Sequence, residues 1–566
     1  MQLTPSNYKY IMSELFEPYL SQRSIIESLI AIRVSEAQKR HNTYYYKNLN
    51  YRAKYPSITD SEVINVMPPR SRWVRPNLLT RKSMISSDVY KLSIRKAINR
   101  QFCVRKSKRE AWFGNLEFFI SNVRKSVLQD IDHIVETPKI LPIAKGKDSD
   151  RYRPLAKYSL KDRVIIGSVA KYLRTIFDPL FLDNSYAFRA KSGSNLMPTH
   201  HTAVENLINY SSKFGGNDIW VAECDIKKFF DTIHHDVAIN SLNEAMNRLN
   251  HQAIYIDSRA IKLFYSFLKS YTFANVAIPE FDRWKKEKGI SGRLSWPRHE
   301  LGDIYYNVNK EEIGIPQGGA LSPLIANLVL DAADKKVIQK GKDNDLFYAR
   351  YCDDMVILHR DEKQCKLAFQ RDQSVIQEKN LIIHEPEIIK VYDKSYYKLK
   401  SKHPYIWGKR NGRLNVVPWL SFLGYQIRHD NLIRVRKSSV LKERDKQKDI
   451  ADKILEIIKG KIPTTNKSSA HIKTSFESKL VYMSVGTNKL NRRFGSFCWT
   501  SGFALLNKYK SNTSQLQYLD RMRNNQVFRI RLSFKKHILP FKPNKGRKHR
   551  SLRYYGYPFS YTSQLK

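Results

Sequence analysis

Two adjacent carboxylates, Asp353 and Asp354, lie inside an apolar stretch that runs from residue 346 to residue 358. The apolar residues on both sides predict two strands, so the motif Tyr351-Cys352-Asp353-Asp354 should form the tip of a β-hairpin. Like charges this close repel, and flanking strands withdraw them from water, so the pair is costly unless a cation neutralises it. Hard oxygen ligands favour magnesium or manganese. Taken alone, however, an Asp-Asp pair is more often a solvated turn.

A third carboxylate, Asp225, lies in a similar context. It directly follows an apolar run that starts at residue 219, and it precedes the segment 227–231. This pattern predicts a strand that ends in an acid and leads into a helix. Two strand-borne acids from distant parts of the chain, converging on one site, are what a two-metal phosphoryl-transfer centre needs.

The chain between these acids contains the turn Pro316-Gln317-Gly318-Gly319. Asp225, this turn and the hairpin motif occur in the order of the sequence blocks of reverse transcriptases, and the chain resembles that family over roughly residues 138 to 430. Further segments resemble the fingers of group II intron-type enzymes, at 153–155, 162–163 and 185–189, and their primer-grip region, at 422–425.

The resemblance implies an α+β right-hand polymerase with fingers, a palm whose antiparallel sheet carries the hairpin, and a helical thumb. The expected boundaries are an N-terminal helical extension over 1–135, fingers over 136–215, palm over 216–428, helical thumb over 429–540 and a basic aromatic tail over 541–566. The palm would contain a basic insertion at about 237–310, with Trp284 and Trp296 among its cations. This insertion would contact template or structural RNA, or it would be a solvated excursion.

The resemblance also implies the metal ligands and the reaction. Asp225, Asp353 and Asp354 would be catalytic and would bind two Mg²⁺ ions, with Mn²⁺ as a substitute. The backbone carbonyl of Ile226 would complete the nucleotide-bound ion. The reaction would be attack of a primer 3′-hydroxyl on the α-phosphate of a deoxynucleoside triphosphate, with pyrophosphate leaving.

Nucleotide contacts follow from the same resemblance. Arg153 would touch the phosphates, together with Lys145 or Lys147 on the adjoining turn. For the two lysines, a charged surface hairpin is the alternative. Phe230 would pack beneath the sugar and exclude a 2′-hydroxyl, although an arbitrary Phe-Phe pair such as Phe229-Phe230 is more often part of a core.

Two further nucleotide-site predictions concern the turn and the block after the hairpin. Gln317 and Gly318 would approach the nascent base pair, with Gln317 as a hydrogen-bond donor. The block at 381–390 departs from the family pattern, because Ile388 stands where the family has a lysine. Lys390, on the same face if the segment is a strand, is then the candidate general acid.

Composition agrees with a nucleic-acid enzyme. Lysine and arginine number 99 against 53 acidic residues, which gives a formal net charge of +46 and predicts a polyanionic partner. A basic ribosomal-type or chromatin protein is the alternative, but 42% hydrophobic and 12% aromatic residues in 566 positions predict a large core.

Two basic segments are candidate RNA contacts. Arg70, Arg72 and Arg75 surround Trp73 and would bind RNA by charge and stacking. A solvated linker with one docked Trp explains this segment about equally well. The candidates in the tail are Lys545, Arg547, Lys548 and Arg550.

The remaining expectations concern setting and lineage. Cysteines occur singly, and the chain lacks a signal-peptide pattern or a membrane-length apolar run, so we expect a cytoplasmic protein without membrane contact. By resemblance and elimination, the chain is similar to stand-alone defence-associated bacterial reverse transcriptases. The expected partners are an RNA template in the form of a structured noncoding RNA, a DNA product, deoxynucleoside triphosphates, and either a second copy or a second defence protein.

Two other functions remain open at this stage. One is a template-independent or protein-primed deoxynucleotidyl transferase, which would use the same metals. The other is a group II intron maturase or RNA-binding scaffold, against which the three intact Asp residues count.

Overall fold

The structure, a computed structural model, describes most of the chain. The described residues are 15–41, 61–84, 86–129, 132–145, 150–189, 197–289, 291–294, 296, 298–339, 345–393, 395–460, 480, 499–537 and 559. The RNA-binding candidates of the tail, Lys545, Arg547, Lys548 and Arg550, lie outside these residues, and so does Lys147.

Helices dominate the described chain. The α-helices are α1 (Gln22–His41), α2 (Ser61–Val66), α3 (Leu78–Ser83), α4 (Ser86–Phe102), α5 (Ala111–Leu128), α6 (Leu160–Phe177), α7 (His200–Ser212), α8 (Phe229–Thr232), α9 (His235–Asn250), α10 (Ser258–Lys269), α11 (Ile278–Lys288), α12 (Arg298–Gly302), α13 (Ser322–Val337), α14 (Glu362–Glu378), α15 (Lys437–Ile458) and α16 (Ser514–His537). The strands are β1 (Lys139–Ala144), β2 (Arg151–Lys157), β3 (Ile219–Asp225), β4 (Arg293–Leu294), β5 (Phe347–Tyr351), β6 (Asp354–His359), β7 (Lys402–Trp407), β8 (Trp419–Phe422), β9 (Tyr425–Arg428) and β10 (Ile433–Val435).

A four-stranded antiparallel sheet forms the centre of the predicted palm. Its strand order is β5-β6-β3-β7. Side chains alternate between its two faces, as the pleat requires. Val356 and Leu358 pack in the core that includes α7, whereas Met355 and Ile357 pack against α14. Because both faces are covered, β5 and β6 read as nearly continuous apolar runs.

The predicted fingers contain a second sheet, in which β1 and β2 are antiparallel and the short β4 pairs in parallel with β2. Helix α11 packs on this sheet, with the ring of Tyr152 5.6 Å from Phe281 and 5.8 Å from Trp284. Trp296 is fully buried. The stretch expected to be an insertion therefore packs within the fold, and Trp296 is not available to stack on RNA.

The remaining elements flank these two sheets. Helices α1, α4, α5 and α6 contribute to the same large core as the fingers and α13. A third sheet has the order β10-β9-β8. Beyond it, α15 packs against α16 through Ala451, Ile454 and Ile530, at the position expected of a thumb. Among the described helices, none has the length and apolarity to cross a membrane.

Candidate active site

The two strands β5 and β6 are joined by a two-residue turn, Cys352-Asp353. Tyr351 pairs with Asp354 at the end of the ladder. Cys352 has φ 61°, a left-handed conformation that costs a residue with a side chain about 1–2 kcal/mol. The tip of the hairpin is therefore a tight, strained turn that presents Asp353 and Asp354 together.

The register of the palm sheet brings the third acid to the same place. Asp225, the last residue of β3, lies directly opposite Asp354, the first residue of β6. Burial and repulsion from Asp225 raise the pKa of Asp353. Burial by the surrounding protein raises the pKa of Asp354 to about 6, and the charges of Asp353 and Asp225 raise it further. The side chain of Asp354 remains accessible to solvent. The structure thus brings the three predicted catalytic acids together.

A lysine that the sequence analysis missed contacts this cluster. Lys400 Nζ lies 2.7 Å from Asp225 Oδ2, and the Asp225 amide donates to Ser401 Oγ at 3.0 Å. The charge of Lys400 also lowers the pKa of Asp353 and Asp354, against the larger effect of burial. The alternation of lysines at 398, 400 and 402 was the only sequence signal for it.

The donor set suits a divalent cation in its chemistry. Carboxylate oxygens are the ligands that Mg²⁺ prefers. Burial is the largest cause of the raised pKa values of Asp353 and Asp354, and repulsion from Asp225 adds to it. In the described part of the chain, no group of three or more His, Cys, Asp or Glu side chains has the arrangement of a metal site. Lys400 provides the compensating charge in this structure.

Arg350, the residue before Tyr351, contacts the backbone of the hairpin turn from the protein interior. It is 2% exposed and forms a bidentate pair with Asp334, at 2.7 and 2.6 Å. Its guanidinium also donates to the Cys352 carbonyl at 3.0 Å and to Ser185 Oγ at 2.8 Å. A single Arg within an apolar strand is a sequence signal for such a buried acid. The Arg350 pair therefore fixes the backbone of the catalytic turn.

Asn327 belongs to the same buried network. Its Oδ1 accepts a hydrogen bond from Arg350 at 3.3 Å, and its amide donates to the Ala187 carbonyl at 3.0 Å. These contacts connect α13 to the hairpin and to the segment before α7.

The Pro316–Gly319 turn lies against the fingers strand β2. Gln317 forms a bridge with Leu155, and its carbonyl accepts from the Ala156 amide at 2.9 Å. Gly318 has φ 94°, and a Cβ there would lie 2.7 Å from Leu155 Cδ1. A Cβ at Gly319 would lie 2.6 Å from the Phe267 ring. Both glycines are therefore required by close approach to neighbouring segments.

Phe230 is joined to the same turn. Its carbonyl accepts from the Ile315 amide at 2.8 Å, and its half-buried ring packs against Phe229 at 5.3 Å. Phe229 is the fully buried member of the pair. Phe230 thus lies at the edge of the core, with its backbone joined to the segment that leads into the Pro316–Gly319 turn.

Gln317, predicted to donate to substrate or template, donates to a protein carboxylate in this structure. Its Nε2 donates to Asp231 Oδ1 at 2.7 Å. Asp231 is only 3% exposed, and burial raises its pKa to about 6, although Gln317, Lys145, Lys228 and Arg153 lower it. In the sequence, Asp231 is marked only by its place directly after Phe230.

Two cations of the predicted fingers, Arg153 and Lys145, act electrostatically on Asp231. Arg153 is exposed and pairs across the hairpin with Ile143. Burial and the neighbouring charge of Arg153 lower the pKa of Lys145, and Asp231 opposes that shift.

Ile226 and Lys390 are the two remaining predicted site residues of this region. Ile226 is buried directly after Asp225 and forms a bridge with Ile383. Lys390 is exposed, and residues 388–391 form no strand, so the expected strand alternation does not apply to it. The lysine in contact with Asp225 is Lys400.

The N-terminal RNA-binding candidates are exposed, but they surround a docked Trp. Trp73 Nε1 donates to the Pro68 carbonyl at 3.1 Å, and its ring packs 5.5 Å from Tyr90. Arg70 lies over both rings, at 6.0 and 5.9 Å. Arg72 pairs with Glu110 at 3.1 Å, and Arg75 is exposed.

A cavity of about 450 Å³ borders the carboxylates on the side of β8 and β9. It is lined by Asp225 and Asp354 and by cations that include Lys400, Arg434 and Arg436.

Comparison with known proteins agrees with this geometry. Residues 143–391 match the family described as reverse transcriptase (RNA-dependent DNA polymerase). The group II intron-encoded protein LtrA of Lactococcus lactis subsp. cremoris is 30% identical over 212 residues, 38% of this chain and 27% of that protein. The putative COX1/OXI3 intron 2 protein of Saccharomyces cerevisiae is 24% identical over 310 residues, 54% of this chain and 29% of that protein.

Solved telomerase structures also align. The telomerase of Candida albicans, in complex with a fragment of telomeric RNA, has a TM-score of 0.32 at 12% identity, covering 74% of this chain and 63% of that chain. Apo telomerase of Candida tropicalis has a TM-score of 0.32 at 12% identity, covering 80% and 78%.

The family match thus covers residues 143–391, and group II intron-encoded proteins are among the relatives of this region. It confirms the expected right-hand polymerase fold. The matched part spans about a quarter of the length of LtrA, since it covers 27% of that protein.

Proposed function

We propose that this chain is an RNA-directed DNA polymerase that extends a primer 3′-hydroxyl with deoxynucleotides and releases pyrophosphate. The observation that carries the proposal is the register of the palm sheet. It places Asp225 opposite Asp354, beside Asp353, within a domain that matches reverse transcriptases. Three acids from two distant segments, gathered at the end of a sheet, suit phosphoryl transfer.

Asp225, Asp353 and Asp354 would hold Mg²⁺, with the Ile226 carbonyl as a further ligand. When bound, the metal neutralises charge that develops on the transferred phosphoryl group. Lys400 contributes positive charge beside Asp225. Arg350 keeps the turn in place through the Cys352 carbonyl.

The chain's own cations and rings would orient the nucleotide. Arg153 and Lys145 would pair with the triphosphate, since a guanidinium fork suits phosphate oxygens. Phe230 would lie under the deoxyribose, and Gln317 and Gly318 would flank it from the turn. The primer end would lie towards the basic cavity lined by Arg434 and Arg436.

Primer extension by the purified protein tests this function. Asp353→Ala should abolish incorporation of deoxynucleotides on an RNA template, while RNA affinity in a filter-binding assay stays within a few-fold. Asp303→Ala, which changes an exposed Asp outside the site, should leave both unchanged. An Asp353→Ala protein that still extends the primer would sink the assignment.

We also propose the finer role that the sequence resemblance implies, in which a dedicated noncoding RNA serves the enzyme in antiphage defence in the cytoplasm. Phage challenge of cells that express the wild type or Asp353→Ala tests this role, and equal plating on both contradicts it. Recovery of a structured RNA with the protein supports the RNA partner.

The group II intron-encoded relatives favour a second candidate, a maturase or RNA-binding scaffold. Sequencing of both the bound RNA and the DNA product separates the alternatives. A copied sequence supports the polymerase, and homopolymer unrelated to the RNA supports a template-independent transferase. The absence of product from wild-type protein that binds intron RNA supports the scaffold.

A further inference from the structure

The register between β3 and β7 explains why Lys400 reaches the carboxylate of Asp225. Glu223 in β3 lies opposite Lys402 in β7, and Lys402 Nζ binds Glu223 Oε2 at 2.6 Å. The strands are antiparallel, Asp225 is two residues beyond Glu223, and Lys400 is two residues before Lys402. Residues two apart point to the same face. The contact of Lys400 Nζ with Asp225 Oδ2 at 2.7 Å is therefore the next ion pair in the same cross-strand row.

The main chain next to Lys400 is held in place, whereas its side chain is exposed. Ser401 is 1% exposed, and its carbonyl accepts from the Glu387 amide at 3.2 Å. Its hydroxyl accepts from the Asp225 amide at 3.0 Å. The side chain of Lys400 is 63% exposed, against 16% for that of Asp225. When this ion pair opens, the lysine can therefore turn into solvent while the carboxylate stays in place.

The ion pair borders an open space of sufficient size for this movement. Asp225, Asp354 and Lys400 together line the cavity of about 450 Å³ on the side of β8 and β9. A cation that enters this cavity from solvent therefore meets two of the acids and the ammonium of Lys400 on the same wall.

Lys400 uses a carboxylate oxygen that a divalent cation would also use. Its ammonium donates to Asp225 Oδ2, and carboxylate oxygens are the ligands that Mg²⁺ prefers. Two cations on one carboxylate repel each other, more strongly where protein partly excludes water. The charge of Lys400 also lowers the pKa of Asp353 and Asp354, against the larger effect of burial. One ammonium thus acts on all three acids of the site.

We propose that Lys400 is a built-in counter-ion of the carboxylate site, which competes with the divalent cation for Asp225 and leaves that carboxylate when the cation binds. This inference rests on the proposed function, which assigns metal binding to Asp225. Lys400 is then a positioning residue that offsets the repulsion among the three acids until the cation arrives. It also makes the site bind the cation less tightly than the carboxylates alone would.

Chemical labelling of lysine tests the displacement in the full-length wild type. The protein is acetylated briefly with an N-hydroxysuccinimide ester, with and without Mg²⁺, and the labelling of Lys400 is measured by mass spectrometry. Because an ammonium held by a carboxylate reacts slowly, we expect Mg²⁺ to increase this labelling roughly 2- to 5-fold. Lys398, exposed in the same segment, is the internal control and should not change. Equal labelling of Lys400 with and without Mg²⁺ would overturn the inference.

The affinity for Mn²⁺, measured by electron paramagnetic resonance of the free ion, is the second readout. Lys400→Met keeps the length of the side chain but removes its charge, so it should bind Mn²⁺ roughly 3- to 10-fold more tightly than the wild type. Lys400→Arg keeps the charge and should keep an affinity near that of the wild type.

Lys398→Met is the matched control, because it removes another cation of the same cavity. Its Mn²⁺ affinity should stay near that of the wild type, and thermal midpoints verify that each variant is folded. An unchanged affinity in Lys400→Met, or an equal gain in Lys398→Met, would contradict the inference.

Both readouts are independent of DNA synthesis, so failure of this inference is distinguishable from failure of the proposed function. If the wild type extends a primer but neither readout responds as expected, only the inference fails. If the wild type makes no DNA, the proposed function fails, and labelling and Mn²⁺ binding still decide the inference. Mn²⁺ binding that is unaffected by Asp225→Asn would also contradict it, because Asp225 would then not hold the cation.

Discussion

Phe230 and its neighbour Phe229 differ in exposure, and that difference separates a pocket residue from a core residue. Phe230 is half-buried, whereas Phe229 is 1% exposed. If Phe230 lies under the sugar, Phe230→Val should admit a 2′-hydroxyl. We expect the preference for deoxynucleotides over ribonucleotides, measured as a ratio of kcat/KM, to fall by roughly 10- to 100-fold.

Phe229→Leu is the matched control for that prediction. It should lower the thermal midpoint because it leaves a gap in the core, without altering the sugar preference. A Phe230→Val enzyme with wild-type preference would show that the ring serves packing alone.

The contribution of Asp231 to stability depends on pH because its carboxyl group is buried. Burial raises its pKa to about 6, whereas an unfolded Asp titrates near ~3.9. The native state therefore binds the proton more tightly, so the contribution of Asp231 to stability is present below pH ~3.9 and is lost as pH rises towards 6. The charged and titratable side chains that act on it are Lys145, Arg153, Lys228 and Tyr271.

Replacing this carboxyl with a neutral amide should remove the penalty. We expect Asp231→Asn to increase the free energy of unfolding at pH 8 by roughly 1–3 kcal/mol, with a much smaller gain at pH 4. Urea denaturation at the two pH values measures the difference. A variant that is less stable than the wild type at pH 8 would mean that the ionised form is favoured in the fold.

At the scale of elements, the hairpin that carries Asp353 and Asp354 depends on contacts with the helix α13. Asp334 in α13 accepts two hydrogen bonds from the guanidinium of Arg350 in β5 and one from the hydroxyl of Tyr348. Arg350→Met would leave Asp334 buried without its cation, and we expect a loss of about 3–5 kcal/mol in the free energy of unfolding. Denaturant titration provides the measurement.

The double variant Arg350→Met with Asp334→Asn separates stability from catalysis. It removes the unpaired charge, so much of the stability should return, but the Cys352 carbonyl still lacks the Arg350 donor. We therefore expect kcat to remain reduced while KM for nucleotide changes little. Full recovery of kcat together with stability would show that Arg350 has no role in holding the turn.

The elements that the sequence predicted are those with a local signal. The apolar runs around Asp225 and the hairpin predicted their strands, and the glycines at 318 and 319 predicted a turn of close approach. Lys400 and Asp231 were missed because their contacts join segments 175 and 86 positions apart. No local pattern marks such pairs.

In the segment that contains Lys390, the sequence predicted a strand that the structure does not form. Its apolar residues suggested a strand, but Ile388 is 71% exposed and residues 388–391 have no strand partner in the described structure. Pro386 lacks an amide hydrogen for a ladder. The position of Lys390 in the sequence block therefore did not predict where its side chain lies, because residues 388–391 do not form the expected strand.

At the scale of the whole molecule, the described parts of the N-terminal extension, fingers and palm share one core. Trp112 in α5, Ile140 in β1 and Leu324 in α13 belong to the same buried cluster. The described part of the predicted N-terminal extension therefore packs into this core rather than forming a separate unit. Its exposed cations, Arg70, Arg72 and Arg75, are held at a fixed position relative to the palm.

The net charge of the chain, +46, predicts how RNA binding depends on salt. Each phosphate neutralised by Lys or Arg releases counterions, so 6–10 such contacts would lower affinity by roughly 10³- to 10⁵-fold between 50 and 200 mM salt. Fluorescence anisotropy with a labelled RNA measures this slope. Asp353→Ala should keep the slope of the wild type, because the cations that bind phosphate are distributed over the chain. A change below 10-fold across that range would show that RNA shape or base stacking, not charge, dominates binding.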